Sequence, residues 1–303
     1  MVLAHRIRLY PNNVQATYFA KACGVSRFAY NWALAEWRRL YAEGEKVSEG
    51  ELRKKLNAVK RESFPWMLEV TKCAPQLAIK DLGTAWKNFF EGRTGAPQFK
   101  KKGQQRDSFR ISNDQFAIED KKIRIPNLGW VRLAEALRFE GKILGATVTR
   151  EADQWYVSVQ VEMPDPVPVH EGSGEQADVN LEDALAGRLK PHKALLSRMR
   201  RLSRSLGRKA GARRKETRSE GYIETKKELM SLHARVANIR EDALHKLTTE
   251  LTQEHETIAV TPGEPRPERR RETPRSMEDV SFSEFRRQLE YKAQKTGGKV
   301  IVK

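Results

Sequence analysis

The chain has 303 residues, enough for about two domains at a loose figure of ~150 residues each. It carries 57 Lys and Arg against 40 Asp and Glu, a formal net charge of +17, which favours a polyanionic partner. No run approaches the roughly 18 apolar residues of a membrane span, and charge and proline stand where a signal peptide is apolar. The two cysteines, Cys23 and Cys73, form no C-x-x-C pair. We therefore expect a cytoplasmic protein with no membrane partner, no structural metal and no resident cofactor.

The first 92 residues predict one short strand followed by helices. In residues 5–10, Ile7 and Leu9 alternate with arginines as in a strand, and Pro11 ends the pattern. Asn13 can cap the first helix. Apolar residues at spacings of three and four indicate further helices, the last of them over residues 78–89.

From Gly92 onward the periodicity changes to that of strands. Glycines and prolines separate short runs at 108–111, 122–125, 130–133 and 146–150, and residues 155–163 alternate apolar and polar. Several short strands of this kind favour a β-barrel. Prolines at 164, 166 and 168 then open a linker.

The segment after the linker is the most basic part of the chain. Residues 188–218 hold thirteen Lys or Arg and one acid, Glu216, which favours contact with phosphates over a merely solvated helix face. A helix with a narrow apolar seam follows over residues 229–247, and its packing in a core explains that seam. A strand at 257–260, a helix at 282–293 and a strand at 299–302 complete the prediction.

Segments spread along almost the whole chain resemble the TnpB proteins, transposon-associated relatives of type V CRISPR effectors. They include RIRLYPNNVQ from Arg6, SRFAYNWAL from Ser26, AWKNFFEGR from Ala85, APQFKKKG from Ala96, DSFRIS from Asp107, IPNLGWVRL from Ile125, and SEFRRQLEYKAQKTGGKVIVK from Ser283. Their order along the chain makes a chance match implausible.

The resemblance implies an α+β multidomain fold. It predicts a split wedge β-barrel with an inserted helical recognition domain, followed by a truncated RuvC-like α/β domain of RNase H fold that lacks the zinc-ribbon module. The predicted parts are a first wedge strand (1–11), the recognition domain (12–92), the wedge barrel (93–164), a linker (165–175) and the RuvC-like domain (176–303).

The resemblance also locates the expected catalytic acids. RuvC-type cleavage uses two divalent metals held by several carboxylates. Asp178 matches the first acid, Thr261 stands where the family has a Glu, and the third acid would lie beyond Lys303. A threonine hydroxyl brings no charge to a metal site. From this pattern we predict no catalytic residues, no bound metal, and a protein that is not an enzyme.

A helix resembling the family's recognition helix carries the predicted DNA-motif contacts. Lys72, Gln76 and Lys80 follow one another at four-residue intervals and so share a helical face. Glutamine can pair bidentately with adenine, and lysine can donate to guanine or phosphate. By resemblance, Arg110, Ser112 and Asn113 face the same duplex.

Contacts to RNA or to the RNA–DNA heteroduplex are predicted at two places. By resemblance, the barrel segment contributes Arg106 and Phe109. From their charge, Lys100, Lys101 and Lys102 could bind phosphates, and the basic helix contributes Arg198, Arg201, Arg204, Arg208, Arg213 and Arg214. Trp37, Trp66, Trp86 and Trp130 can stack on bases, although core packing is the more common role of tryptophan.

Together these observations predict an RNA-guided DNA-binding protein of the nuclease-dead repressor type. Its expected partners are a guide RNA, with one protein per RNA, and double-stranded target DNA beside a short adjacent motif, where occupancy represses transcription. Three alternatives stay open: a minimal nuclease using Asp178, an RNA-binding protein without DNA function, and a decayed transposon remnant. The intact apolar patterns argue against the last.

Overall fold

The computed structural model describes residues 1–164, 173–180, 184, 190–210, 219–261 and 277–302. Clustering of contacts divides the chain into two compact units, residues 1–164 and 165–303. The predicted α+β architecture of sheets and helices is confirmed. The finer five-part division stays a prediction. None of the described helices is long and apolar enough to cross a membrane.

Unit 1 begins with a strand, continues through helices and ends in strands. Its elements are β1 (Val2–Tyr10), α1 (Asn13–Ala42), α2 (Glu49–Ser63), a 3-10 helix (Pro65–Glu69), α3 (Cys73–Phe90), β2 (Ser108–Ser112), a second 3-10 helix (Asn113–Gln115), β3 (Ala117–Glu119), β4 (Lys122–Ile125), β5 (Gly129–Leu133), β6 (Lys142–Glu151) and β7 (Gln154–Glu162).

The cap of α1 is Asn12, one residue before the predicted Asn13. Its side chain accepts a hydrogen bond from the Gln15 backbone N–H at 2.9 Å, and the Gln15 side chain accepts one from the Asn12 N–H at 3.1 Å. This reciprocal pair is a capping box, which satisfies two backbone donors at once. Asn13 is already helical.

The strands of unit 1 form one open sheet, not the predicted barrel. The strand order is β2-β6-β7-β1-β5-β4-β3, so β2 and β3 lie at opposite edges and do not pair with each other. The strand β1, although first in the chain, is central: it pairs antiparallel with both β7 and β5.

One face of this sheet packs against α1. The ring of Phe19 is fully buried and lies 5.1 Å from the Trp155 ring and 5.9 Å from the Phe109 ring, measured between centroids. On the helical side, Trp37 stacks on Trp86 at 5.6 Å. The expectation that a tryptophan packs in the core is therefore right for Trp37, which is 9% exposed.

Unit 2 contains a three-stranded parallel sheet in the order β10-β9-β8. Its described elements are β8 (Ser173–Asn180), α4 (Lys190–Ala210), α5 (Glu220–Glu254), β9 (His255–Thr261), α6 (Met277–Thr296) and β10 (Lys299–Val302).

The two faces of this parallel sheet differ in their surroundings. Val179 pairs in register with Val260, and both belong to a buried cluster with Leu247 of α5 and Phe285 of α6. Side chains alternate along a strand, so Asp178 and Thr261 project from the other face. Both of these side chains are exposed.

Candidate nucleic-acid interface

The three predicted DNA-motif residues on α3 lie near its amino-terminal end. Lys72 immediately precedes the helix and is exposed, Gln76 is half-buried in the first turns, and Lys80 is exposed one turn further on. The intervening residues, such as Ala78 and Ile79, are buried in the core. The packing of α3 thus fixes the face that carries the two lysines and the glutamine.

The strand β2 lies beside this end of α3. The Cys73 Sγ and Ser112 Oγ atoms are 3.2 Å apart, and the Arg110 guanidinium donates to the Asp81 carboxylate at 2.5 Å. Two of the three predicted β2-side contacts, Arg110 and Ser112, are therefore held next to the helix. No pattern in the sequence indicated that Asp81 would pair with Arg110.

Hydrogen bonds orient the turn that follows β2. The Ser112 hydroxyl donates to Asp114 Oδ1 at 2.5 Å, so the Cys73 thiol is the donor in its contact with Ser112. Hydrogen bonds from Ser112 and Gln115, together with the charge of Lys72, lower the pKa of the Asp114 carboxyl. The exposed Asn113 opens this turn.

The predicted lysine triplet is divided by its surroundings. Lys100 is half-buried, its Nζ lies 4.0 Å from the centre of the Tyr30 ring, and its backbone exchanges two hydrogen bonds with the Asn31 side chain. Burial lowers the pKa of the Lys100 ammonium. Lys101 and Lys102 are exposed. Lys100 therefore anchors the segment, while its two neighbours are open to a phosphate.

Phe109 was predicted to contact RNA or the RNA–DNA heteroduplex, but it lies in the core. Its side chain is 1% exposed and packs on Phe19 inside the core, so it cannot stack on a base. The neighbouring Arg106 is exposed and forms an ion pair with Glu151 at 2.7 Å. Of these two predicted heteroduplex contacts, only Arg106 is on the surface.

The basic helix α4 packs against α5 and exposes its arginines. Arg198 donates to Glu228 of α5 at 2.6 Å. Arg201, Arg204 and Arg208 are exposed, and within the described residues no acidic partner pairs with them. Spacings of three and four place these arginines on one side of the helix. The predicted contacts Arg213 and Arg214 lie outside the described residues.

The two positions predicted to match RuvC acids, Asp178 and Thr261, lie at the carboxyl ends of neighbouring parallel strands. Asp178 pairs in register with Ala259, and Thr261 pairs with Asn180 two residues further on. The side chains of these four residues project from the same face of the parallel sheet, because residues paired in register point the same way and every second residue of a strand shares a face. Gln176 Nε2 donates to Asp178 Oδ1 at 3.3 Å.

The donor set at this edge does not fit a two-metal centre. In the described part of the chain, no three His, Cys, Asp or Glu side chains gather as a metal-binding group. Asp178 is charged and Thr261 is neutral, and two divalent ions require several convergent carboxylates. We derive no chemical step through a metal from these residues.

One basic face on the sheet of unit 1 was not predicted. The alternation of Arg6, Arg8 and Tyr10 with apolar residues served only to predict a strand. The same alternation recurs in β5 and β4, so exposed polar residues of three adjacent strands lie side by side: Arg8, Tyr10, Trp130, Arg132, Lys122 and Arg124. The signal was present in the period-two pattern.

Comparison with known proteins adds the family. Residues 1–46 match a family model described as "Helix-turn-helix domain" (HTH_OrfB_IS605), and residues 180–262 match one described as "Probable transposase" (OrfB_IS605). Among solved structures, a chain of a Cas12f1–sgRNA–target DNA complex aligns with a TM-score of 0.48 and 12% identity, covering 94% of this chain and 73% of that chain.

Curated relatives match nearly the full chain. "Putative RNA-guided DNA endonuclease InsQ" of Escherichia coli (strain K12) is 31% identical over 98% of this chain and 79% of the relative. A protein of Streptomyces pristinaespiralis is 27% identical over 99% and 76%. One of Mycobacterium tuberculosis is 29% identical over 99% and 76%. The last two also have names beginning "Putative RNA-guided DNA endonuclease".

These relatives correct one prediction and identify the chain. The prediction that the protein is not an enzyme is wrong, because relatives matched along almost its whole length are named endonucleases. It rested on Asp178, on Thr261 in place of a Glu, and on a third acid expected beyond Lys303. With 31% identity to InsQ over 98% of its residues, the chain belongs to the IS605 OrfB family, also called the TnpB family.

Proposed function

We propose that this protein binds a guide RNA and, directed by it, binds double-stranded DNA beside a short adjacent motif. The observation that carries the proposal is the surface at the amino-terminal end of α3. There, Lys72, Gln76 and Lys80 share one face, and the Cys73–Ser112 contact of 3.2 Å holds β2 beside it. The relatives' names, which specify RNA-guided action on DNA, support the same function.

The chemistry of this surface suits a base-reading helix. A glutamine amide can both donate to and accept from an adenine edge in the major groove, while flanking lysines contact phosphates or guanine. Gln76 is half-buried, which restricts its side chain and favours one hydrogen-bonding geometry. The exposed Lys72 and Lys80, one helical turn to either side, supply the positive charge.

RNA that copurifies with the protein provides the first test. Sequencing identifies the guide, and a duplex complementary to it with randomised flanks then reports the adjacent motif. We expect Gln76→Ala to weaken target binding about tenfold and to relax selection at one motif position. Guide RNA affinity should not change. Gln253→Ala, an exposed glutamine on α5, is the matched control. Equal motif selection by Gln76→Ala and wild type would overturn the assignment of this helix.

The relatives' names extend the proposal to cleavage of the bound DNA. Asp178 is the described carboxylate at the carboxyl end of the parallel sheet, where open α/β sheets commonly place their active sites. Because Asp178 and Thr261 do not by themselves fit a two-metal centre, further carboxylates would have to complete the site. We expect plasmid carrying the target to be cut in buffer with Mg²⁺, and Asp178→Asn to abolish cutting while binding persists. Asp242→Asn, exposed on α5, is the control. Unchanged cutting by Asp178→Asn would remove Asp178 from the site.

Occupancy of a promoter is a further consequence of the proposed binding. A guide complementary to promoter DNA would place the protein in the path of RNA polymerase, and we expect lower output from a reporter carrying that promoter. The matched guide with a scrambled pairing segment is the control. Equal reporter output with both guides would remove repression from the proposal.

A further inference from the structure

On β1, β5 and β4, the sheet of unit 1 has an outer face that the predicted contacts do not use, apart from Trp130. On β1, β5 and β4 the inward residues, among them Ile7, Val131 and Ile123, are fully buried in the core. The alternating residues point the other way. They form a continuous exposed patch, which we call the outer patch: Arg8, Tyr10, Trp130, Arg132, Lys122 and Arg124.

Cross-strand register brings the aromatic and cationic side chains of the outer patch together. Tyr10 pairs with Arg132, which pairs with Lys122, and in the next row Trp130 pairs with Arg124. The guanidinium carbons of Arg8 and Arg132 lie 5.0 Å and 5.7 Å from the centre of the Tyr10 ring. Both distances are within the range of a cation–π interaction.

The outer patch carries four cationic side chains. Across the described residues, no carboxylate forms an ion pair with any of its four cations: Arg8, Arg132, Lys122 and Arg124. The nearest acid in the strand register is Glu119, opposite Lys122 on the edge strand β3. Tyr10 is 46% exposed and Trp130 is 38% exposed. Proteins bind single-stranded nucleic acid with this combination of exposed aromatic rings and cationic side chains.

We propose that the outer patch binds an unpaired segment of the guide RNA, with bases stacking on Tyr10 and Trp130 and phosphates contacting the arginines. This inference rests on the proposed function, which supplies the RNA. A paired duplex offers its bases no access to a ring on a sheet face, whereas loops and ends of RNA do. Target DNA arrives as a duplex and exposes bases only on the strand that is displaced once the guide has paired. Loops and ends of the guide RNA expose their bases from the start, so we assign the patch to the guide.

The outer patch is separate from the predicted DNA-motif surface. In the strand order, β2 carries Ser112 and lies three strands from β1 and four strands from β5. At ~4.8 Å per strand, these separations are roughly 14 Å and 19 Å. The same sheet can therefore hold RNA at one part and border target DNA at its other edge.

The test measures binding of the full-length protein to a fluorescent single-stranded RNA, a single-stranded DNA of equal sequence and a perfectly paired RNA duplex. We expect Tyr10→Thr combined with Trp130→Thr to weaken single-stranded RNA binding about tenfold or more, and to leave duplex RNA unchanged. Threonine suits strands, so the fold is retained. Tyr41→Gln, which removes an exposed aromatic of α1, is the control.

Salt dependence provides a second readout. Arg8→Gln with Arg132→Gln should reduce the slope of log affinity against log salt by about 1.4 for single-stranded RNA. Lys46→Gln, an exposed lysine outside the patch, should not reduce it. An unchanged slope and unchanged affinity in all patch variants would overturn the inference.

Two further outcomes separate the possible failures. If patch variants still bind guide RNA and target DNA as wild type does, the inference fails and the proposed function stands. If the wild type binds no RNA, the proposed function itself fails. The protein could instead bind single-stranded DNA or poly-glutamate more tightly than RNA, and the patch variants could lose that binding. This result would assign the outer patch to another partner and overturn the inference.

Discussion

The guanidinium of Arg110 on β2 donates to the carboxylate of Asp81 on α3 at 2.5 Å, and so joins the two elements that carry the predicted DNA-motif residues. Both side chains are partly exposed, at 41% and 38%. The pair therefore contributes little to stability, roughly 0–1 kcal/mol, because solvent screens it. Its larger effect is on charge: Asp81 places a negative group beside Lys80.

Removal of the Asp81 charge is predicted to strengthen binding to DNA while lowering selectivity. Asp81→Asn leaves Arg110 and Lys80 without a competing carboxylate, so we expect two- to threefold tighter binding to any duplex, on the order of 0.5 kcal/mol. The salt dependence should become steeper. Glu62→Gln, an exposed acid on α2, is the control for net charge. Weaker binding of non-target duplex by Asp81→Asn would contradict the prediction.

Phe109→Leu separates the structural role of this residue from the predicted nucleic-acid role. Because Phe109 is buried against Phe19, we expect the free energy of unfolding to fall by about 1–3 kcal/mol in urea titrations. RNA affinity of the folded protein should be unchanged. The exposed Phe99, replaced by Leu, should lose less than about 0.5 kcal/mol. A large loss of RNA affinity without a loss of stability in Phe109→Leu would restore the original prediction.

Two glycine substitutions are predicted to have opposite effects. A Cβ at Gly141 would lie 2.4 Å from the Glu162 carbonyl oxygen, so Gly141→Ala forces the backbone apart and should cost about 1–3 kcal/mol. Gly24 lies inside α1, and nothing lies within 4 Å of a Cβ built there. Gly24→Ala should stabilise by about 0.5–1 kcal/mol through helix propensity. Thermal unfolding of the two variants in parallel measures both signs.

The ammonium of Lys292 makes stability depend on pH. It donates to the His245 carbonyl and to the Thr248 and Thr249 hydroxyls, each at 2.7 Å, and burial lowers the pKa of Lys292 to about 8. Between that value and the ordinary value of 10.5, the unfolded chain binds more protons, so the free energy of unfolding rises with pH in this window.

The comparison of wild type with Lys292→Met isolates this contribution from other groups that titrate at alkaline pH. The stability of the wild type relative to the variant should increase from pH 8 to pH 10.5. Urea titrations at five pH values give the difference. A difference that shrinks over the alkaline window would show that the sign is wrong.

Local sequence patterns predicted the helices and strands well, but they could not predict which strands pair with each other. The alternation in residues 5–10 predicted β1, but nothing in it shows that β2 and β3 remain at opposite edges, so the barrel prediction failed. The period-two pattern in 108–112 does place Phe109 and Ile111 on a buried face between polar neighbours. That signal was outweighed by the family resemblance, which carries no information on which side chains face inward. The outer patch was missed because each strand was considered alone.

The central position of β1 has a consequence for the order of events during synthesis. Val2 pairs with Glu162, and Leu9 pairs with both Trp155 and Leu133. The strand β1 therefore has no partner strand until β5 (Gly129–Leu133) has been synthesised, and its longer pairing with β7 (Gln154–Glu162) follows later still. Contacts this distant in sequence form slowly. The arginines of residues 6 and 8, which interrupt its apolar residues, keep that waiting strand soluble and hinder its pairing with other nascent chains.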